Sequence, residues 1–237
     1  GSFRVLETAY KLVKTCIEHG CVAISLKAIE AVAMRLDALE HLETDVDKAR
    51  LCQCNVHYYA LRVHLAWLQG RPDIADHLFL KLPESITGDT CVLDVCFKVG
   101  SLALSCSQYD VAAKWLERGW EQCKLLASSS EGSDVASQDK ELLILHALVR
   151  ANTHLDTHDS KDNLVRTLGH LKSQYSNMFS IRLLELEVLA RGNRDVERYF
   201  QGEVSHYHLE QSLIFLAVLQ DALKVVDASE SSFRMCG

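Results

Sequence analysis

Proline and glycine are scarce in this chain of 237 residues: 2 Pro and 11 Gly make about one residue in eighteen, where ordinary usage gives roughly one in eight. Turns must be correspondingly few, which counts against a β-sandwich or barrel, since those folds need a Gly- or Pro-bearing turn every 8 to 12 residues or so. Clustered basic residues are missing too. With 25 basic against 32 acidic residues and a net charge of −7, the chain lacks the footprint by which nucleic-acid binders grip phosphates. No stretch of about 18 consecutive apolar residues occurs, and no positively charged start leads into an apolar run, so neither a membrane span nor a signal peptide is read. The sequence therefore predicts no direct nucleic-acid partner and no membrane partner. Gly1-Ser2 reads as the remnant of a cleaved tag, and the chain is expected to be a fragment of a longer protein.

What is present is helical periodicity almost throughout. Hydrophobic residues make up 48% of the chain, enough for a sizeable core. Val5, Leu6, Ala9, Leu12, Val13, Cys16 and Ile17 recur at helical spacing, as do Ile24, Ala28, Ile29 and Val32. His19-Gly20 separates these two helices, with Gly supplying a left-handed cap that carries no Cβ clash. The same punctuation recurs at Gln69-Gly70, before a Pro72 pre-set for a helix start, and at Arg191-Gly192-Asn193. A fourth hairpin, Ser107-Gln108-Tyr109-Asp110, has no Gly, and Asp110 is expected to cap the following helix. The spacing predicts helices near 3–18, 22–42, 46–69, 72–82, 89–106, 110–127, 137–155, 160–174, 179–191, 194–201 and 206–227. The polar run within 128–136 is expected to be a flexible loop between two helical parts, 3–127 and 137–237. The acidic stretch from Asp37 to Asp47 reads as a solvated helix end and turn.

Aligned on one another, the hairpins suggest a repeat. Counting Leu93 as position 1, small residues stand at positions 8 (Gly100), 20 (Ala112) and 27 (Gly119), with a large apolar residue at 24 (Leu116). This is the tetratricopeptide pattern, in which small residues let two helices approach closely. Ser25, Ala75 and Val196 are equivalent to Ala112, although the separations vary from about 30 to about 50 residues. The fold expected is all-α, a tetratricopeptide-like helical-repeat solenoid: a right-handed superhelix of antiparallel helix pairs forming one continuous stack. Inward-facing template positions select Tyr10 and Lys14, then His57, His64 and Trp67, then Asp94, Phe97 and Ser101, as the wall where an extended or helical peptide from a protein partner would lie.

Chemistry-bearing motifs are weak. Cys52 and Cys54 point about 200° apart on a helix, so with His57 they do not grip one ion, and Cys91 and Cys96 lack a matching second pair. His154-x-x-x-His158 has two imidazoles one turn apart but no glutamate of the metalloprotease motif. Trp67, Trp115 and Trp120 are read first as core residues. Nine scattered cysteines in helical stretches suit a reducing compartment, without a disulfide framework. No nucleophile elbow, phosphate loop or dinucleotide fingerprint occurs, so the chain is expected to be no enzyme, with no catalytic, cofactor-binding or metal residue and no cofactor. A thiol- or metal-dependent hydrolase is the remaining enzymatic alternative, because eleven His and nine Cys allow chance constellations.

Three stretches, His19-Gly20 to Glu40, Arg62 to Lys81 (RVHLAWLQGRPDIADHLFLK) and Gln108 to Gln122 (QYDVAAKWLERGWEQ), resemble consecutive blocks of the meiosis-specific Zip-four family of tetratricopeptide scaffolds. Leu142 to Asp156 (LLILHALVRANTHLD) and Ser180 to Leu189 are similar to its continuation. The resemblance implies a non-catalytic scaffold that links crossover and synaptonemal-complex proteins on meiotic chromosomes in the nucleus. The alternative is a tetratricopeptide adaptor of an unrelated assembly.

Overall fold

The structure, a computed structural model, describes residues 2–39, 45–83, 89–129, 135–176 and 178–191. Among these the secondary structure is entirely α-helical: α1 (Ser2–Glu18), α2 (Val22–Asp37), α3 (Asp45–Leu68), α4 (Pro72–Phe79), α5 (Thr90–Ser105), α6 (Tyr109–Ser129), α7 (Val135–Thr153), α8 (His158–Gln174) and α9 (Phe179–Arg191). The expected helices at 194–201 and 206–227, together with Gly192 and Val196, lie outside the described residues. Two compact units are distinguished. The first is Gly1–Leu184 and contains α1 to α8; the second begins at Glu185.

Hairpin chemistry follows the glycine reading closely. Gly20 and Gly70 have φ of 71° and 70°, and at each the chain closes two reversed hydrogen bonds. Gly20 N–H donates to Ile17 O (3.0 Å) and Cys21 N–H to Cys16 O (2.8 Å); Gly70 N–H donates to Trp67 O and Arg71 N–H to Ala66 O. These are Schellman caps, which satisfy the carbonyls left over at a helix end. The third hairpin makes the same pair, Ser107 N–H to Leu104 O and Gln108 N–H to Ala103 O, with Ser107 itself at φ 58°. A side-chain-bearing residue thus occupies the conformation that glycine takes elsewhere, at a steric cost of about 1 kcal/mol or more.

Several expected boundaries shift for local reasons. Asp110 lies within the first turn of α6 and makes no cap: Ala112 N–H donates to Gln108 O, so Gln108 stands at the entry, while Asp110 only complements the helix dipole. The ends of the stretch expected to be a loop, 128–136, are helical, because α6 continues to Ser129 and α7 begins at Val135; its middle, 130–134, lies outside the described residues. The second helix stops at Asp37 rather than near 42, and α4 stops at Phe79. Helix α8 starts earlier than read, because Thr157 and Ser160 form a reciprocal capping box with both bonds at 3.1 Å.

Packing follows a regular neighbour pattern in the first unit. Each of α1, α3 and α5 contacts the next odd-numbered helix, and α2, α4, α6 and α8 pack against the helix that precedes them. Helix α3 has apolar faces on two sides. Cys54, Leu61 and Leu65 join Leu6, Val13 and Ile29 of α1 and α2, while Val56, Ala60 and Val63 join Ala75, Val99 and Trp115 of α4, α5 and α6. The tightest approach is α5 to α6, at the residues singled out by the repeat alignment. A Cβ on Gly100 would stand 2.6 Å from Leu116 Cγ and 3.3 Å from the Leu116 backbone nitrogen. One on Gly119 would meet Ile144 at 3.3 Å and Cys96 at 3.4 Å. Ala112 and Leu116 are completely buried, and a buried leucine stabilises the fold by about 1.5–3 kcal/mol.

The α4–α6 flank closes with charge laid on aromatic rings. Arg118 places its guanidinium 4.3 Å from the Phe79 ring centre and 4.5 Å from that of Trp115, while donating to Asp76 Oδ1 at 2.7 Å. Lys114 holds the other Asp76 oxygen at 2.7 Å. Among the described residues, no helix is long and apolar enough to cross a membrane.

Candidate functional site

Between the two apolar faces of α3 runs a polar edge bearing Gln53, His57 and His64, spaced so that they share one side of the helix. Helices α1 and α5 meet across it through two ion pairs. Lys14 Nζ lies 3.7 Å from Asp94 Oδ2, and Lys98 Nζ lies 3.5 Å from Glu18 Oε1. Lys140 of α7 donates to the other Asp94 oxygen at 2.6 Å, so one carboxylate on α5 receives cations from α1 and α7. His64 is shielded beside the second pair. Burial, and after it Lys98, lower its pKa to about 4 against the opposing pull of Glu18, so the ring is neutral at ordinary pH.

At the other end of the edge, Asp89 is the N-cap of α5. Its Oδ1 accepts from Cys91 N–H (2.7 Å) and Val92 N–H (3.4 Å), which leaves Oδ2 turned toward α3. There the Gln53 amide donates to Oδ2, His57 Nε2 lies 3.8 Å from the same oxygen, and Gln53 Nε2 lies 3.4 Å from His57 Nε2. The Cys91 sulfur completes the group: the ligand atoms of His57, Asp89 and Cys91 all lie within 4.8 Å of one another. Burial, followed by the carboxylates of Asp89 and Asp94, pushes the Cys91 thiol up to about 11 against the pull of Lys14 and Lys98.

Of the residues selected by the repeat template, Lys14, His57, His64 and Asp94 come together on this surface. Tyr10 comes to the same place but belongs to the core rather than the wall. It is only 7% exposed, its hydroxyl donates to Cys54 O at 2.7 Å, and its ring stands edge-on to His57 with 5.6 Å between centres. Burial, with smaller contributions from Cys54, Tyr58 and Cys91, raises its phenol pKa, so it stays a neutral donor. Trp67 is half-buried against the α3–α6 core; Phe97 and Ser101 are half-buried on α5. Sequence reasoning missed Gln53, Asp89, Glu18, Lys98 and Lys140, and weighed Cys91 only in company with Cys96. An aspartate directly before the apolar periodicity of α5 was the available signal for Asp89, as an N-cap; nothing local tied it to His57.

Among the described residues the other motifs do not assemble into sites. His154 stacks on Tyr109 at 3.8 Å, and His158 pairs with Asp162 at 3.0 Å. Cys52 and Cys54 contribute no ligand to the group around His57. The eight described cysteines are free thiols. Trp115 and Trp120 are core residues as read, at 1% and 4% exposure.

Residues 65–236 match the family described as meiosis protein SPO22/ZIP4 like. No curated protein and no solved structure matches the chain.

Proposed function

Because the chain belongs to the SPO22/ZIP4-like meiosis protein family, we propose that it is a non-catalytic scaffold that holds other crossover and synaptonemal-complex proteins on meiotic chromosomes in the nucleus. In this reading the hairpins are tetratricopeptide-like repeats stacked as a right-handed solenoid. The odd-numbered helices then form the inner wall, and a peptide or helix of the partner lies along it. The close approach of α5 and α6 at Gly100, Ala112 and Leu116 supports the repeat assignment.

One observation carries the binding reading. Lys14, Asp94 and Lys140 form a partly solvated charged row across α1, α5 and α7, so successive hairpins contribute to a single surface. A partner segment with complementary charge would exchange these ion pairs for its own, and such pairs set orientation and specificity more than raw affinity. His64 is a poor probe of that surface. Its ring is largely buried and neutral, so His64→Glu would place a carboxylate beside Glu18 and report on stability.

Asp94→Lys is the better test. The chain, immobilised, is exposed to meiotic and to mitotic extract, and retained proteins are identified by mass spectrometry. Crossover and synaptonemal-complex proteins retained only from meiotic extract, and lost with Asp94→Lys at an unchanged melting temperature, are the expected result. Retention of the same proteins from both extracts, or retention indifferent to Asp94→Lys, overturns it.

A further inference from the structure

The group at the α3–α5 junction has a composition that neither the family nor the scaffold reading uses. We propose that His57, Asp89 and Cys91 bind one borderline-soft divalent cation of the zinc class, with Gln53 beside the fourth position. The donors are an imidazole nitrogen, a carboxylate oxygen and a sulfur, the set that selects zinc or cobalt over magnesium or calcium. Spacing agrees. Tetrahedral bonds of about 2.0–2.3 Å place neighbouring donors roughly 3.3–3.8 Å apart. His57 Nε2 and Asp89 Oδ2 already stand at 3.8 Å, and small side-chain rotations bring the sulfur in from within 4.8 Å.

Two further features hold the donors in place. Asp89 Oδ1 is occupied by the first amides of α5, which fixes the carboxylate with Oδ2 outward, and the edge of Tyr10 packs against the His57 ring. Such supporting contacts orient metal ligands in general. Gln53 Nε2 lies 3.4 Å from His57 Nε2 and donates to Asp89 Oδ2. A half-turn of its amide would set Oε1 in that place, where a carbonyl oxygen is repelled by the carboxylate unless a cation lies between them. His57, 36% exposed at its side chain, gives the ion a path from solvent.

Binding breaks the Cys91 S–H bond, releases that proton to solvent and forms a sulfur–metal bond. A neutral imidazole, one carboxylate and one thiolate then balance the two positive charges. The thiol's resistance to losing its proton is overcome by the metal charge, so affinity falls as pH is lowered. The bound ion would tie the polar edge of α3 to the first turn of α5, two helices of successive hairpins.

Cobalt(II) added to the full chain is the test, since a thiolate ligand gives a charge-transfer band in the near ultraviolet. One equivalent should produce that band, zinc(II) should displace it, and Cys91→Ser should abolish it while Cys21→Ser and Cys106→Ser, at exposed thiols, leave it intact. Asp89→Asn keeps an N-cap of similar quality and removes the charge, so it should weaken cobalt binding more than tenfold with the metal-free melting temperature nearly unchanged. His57→Ala should weaken binding similarly. Absence of the band at stoichiometric cobalt, its survival in Cys91→Ser, or cobalt affinity unchanged in Asp89→Asn would each overturn the site.

Discussion

The two flanks of α3 and α5 use the same kinds of residue to opposite ends. On the α4–α6 flank, Asp76 meets two cations, and one of them, Arg118, lies flat on Phe79 and Trp115, so the charges cover a seam of the core. On the α1–α3–α5 flank, Asp94 also meets two cations, but the groups along that edge are polar: His57, Asp89 and Cys91 converge on one another at one end, and His64 lies beside Lys98 and Glu18 at the other. An ion pair over aromatic rings reinforces packing by shielding apolar surface. Beside a buried thiol it acts on protonation instead, Asp94 raising the Cys91 pKa and Lys14 lowering it. A doubly paired carboxylate by itself does not distinguish a structural seam from a reactive surface; what lies under it does.

The largest expected effect tests the sealed flank. Trp115→Ala should destabilise the chain by about 3–5 kcal/mol in urea unfolding, because its 1%-exposed ring supports both Phe79 and Arg118. A loss under about 1 kcal/mol would mean that the aromatic seam holds nothing, and the contrast would fail.

The next effect belongs to the polar flank. His64 has a folded pKa of about 4 against an ordinary 6.5, so between those values the unfolded chain binds the proton that the folded chain refuses. Its contribution is fully present above 6.5 and is lost as pH falls toward 4, at up to about 1.4 kcal/mol per pH unit. Urea midpoints across that range should slope downward toward acid for the native sequence and slope less for His64→Gln.

Asp76 gives a smaller effect in a lower window. Burial raises its pKa, but hydrogen bonds from Lys114 and Arg118 outweigh burial and leave it below the ordinary 3.8. Its stabilisation is therefore present above 3.8 and disappears as pH falls through the depressed folded value. Asp76→Asn should cost about 1 kcal/mol at neutral pH, and the difference from the native chain should vanish in sufficiently acid solution. The smallest effect concerns the α5–α6 turn. Ser107→Gly should stabilise by about 0.5 kcal/mol, because relief of the left-handed strain exceeds the added freedom of the unfolded chain.

What was legible in the sequence depended on whether one residue alone carries the constraint. Gly20, Gly70 and the Gly100–Leu116 pair were readable, because a positive φ or a missing Cβ leaves a mark at a single position. Ser107 was not, since serine rarely adopts that conformation and nothing at that position announces the reversed hydrogen bonds of the turn. Helix ends drifted where caps other than Gly decided them, as at Thr157. Template position selected Lys14, His57, His64 and Asp94, which do lie along one polar edge, but Tyr10, selected with them, is covered by α3. The meeting of Asp89 and Cys91 with His57 was out of reach, because such contacts are distant in sequence: Gln53 and Asp89 stand 36 residues apart and Lys140 lies 46 from Asp94. Only the stacking of hairpins brings such pairs together.

The missing Cβ at Gly100 has a consequence for how this chain can vary. Its neighbour Leu116 fills the space that a methyl group would need, so positions 100 and 116 share one fixed volume. Neither can change freely. Shortening the leucine opposite removes the worst clash of a methyl group at 100, leaving only the 3.3 Å approach to the Leu116 backbone nitrogen, and such a methyl in turn fills part of the void that the shortening leaves. The two substitutions should therefore be far less harmful together than the sum of their separate costs, a coupling of the kind measured between touching residues. In evolutionary terms they form a single locus written in two places, and change at either proceeds through paired exchanges across α5 and α6.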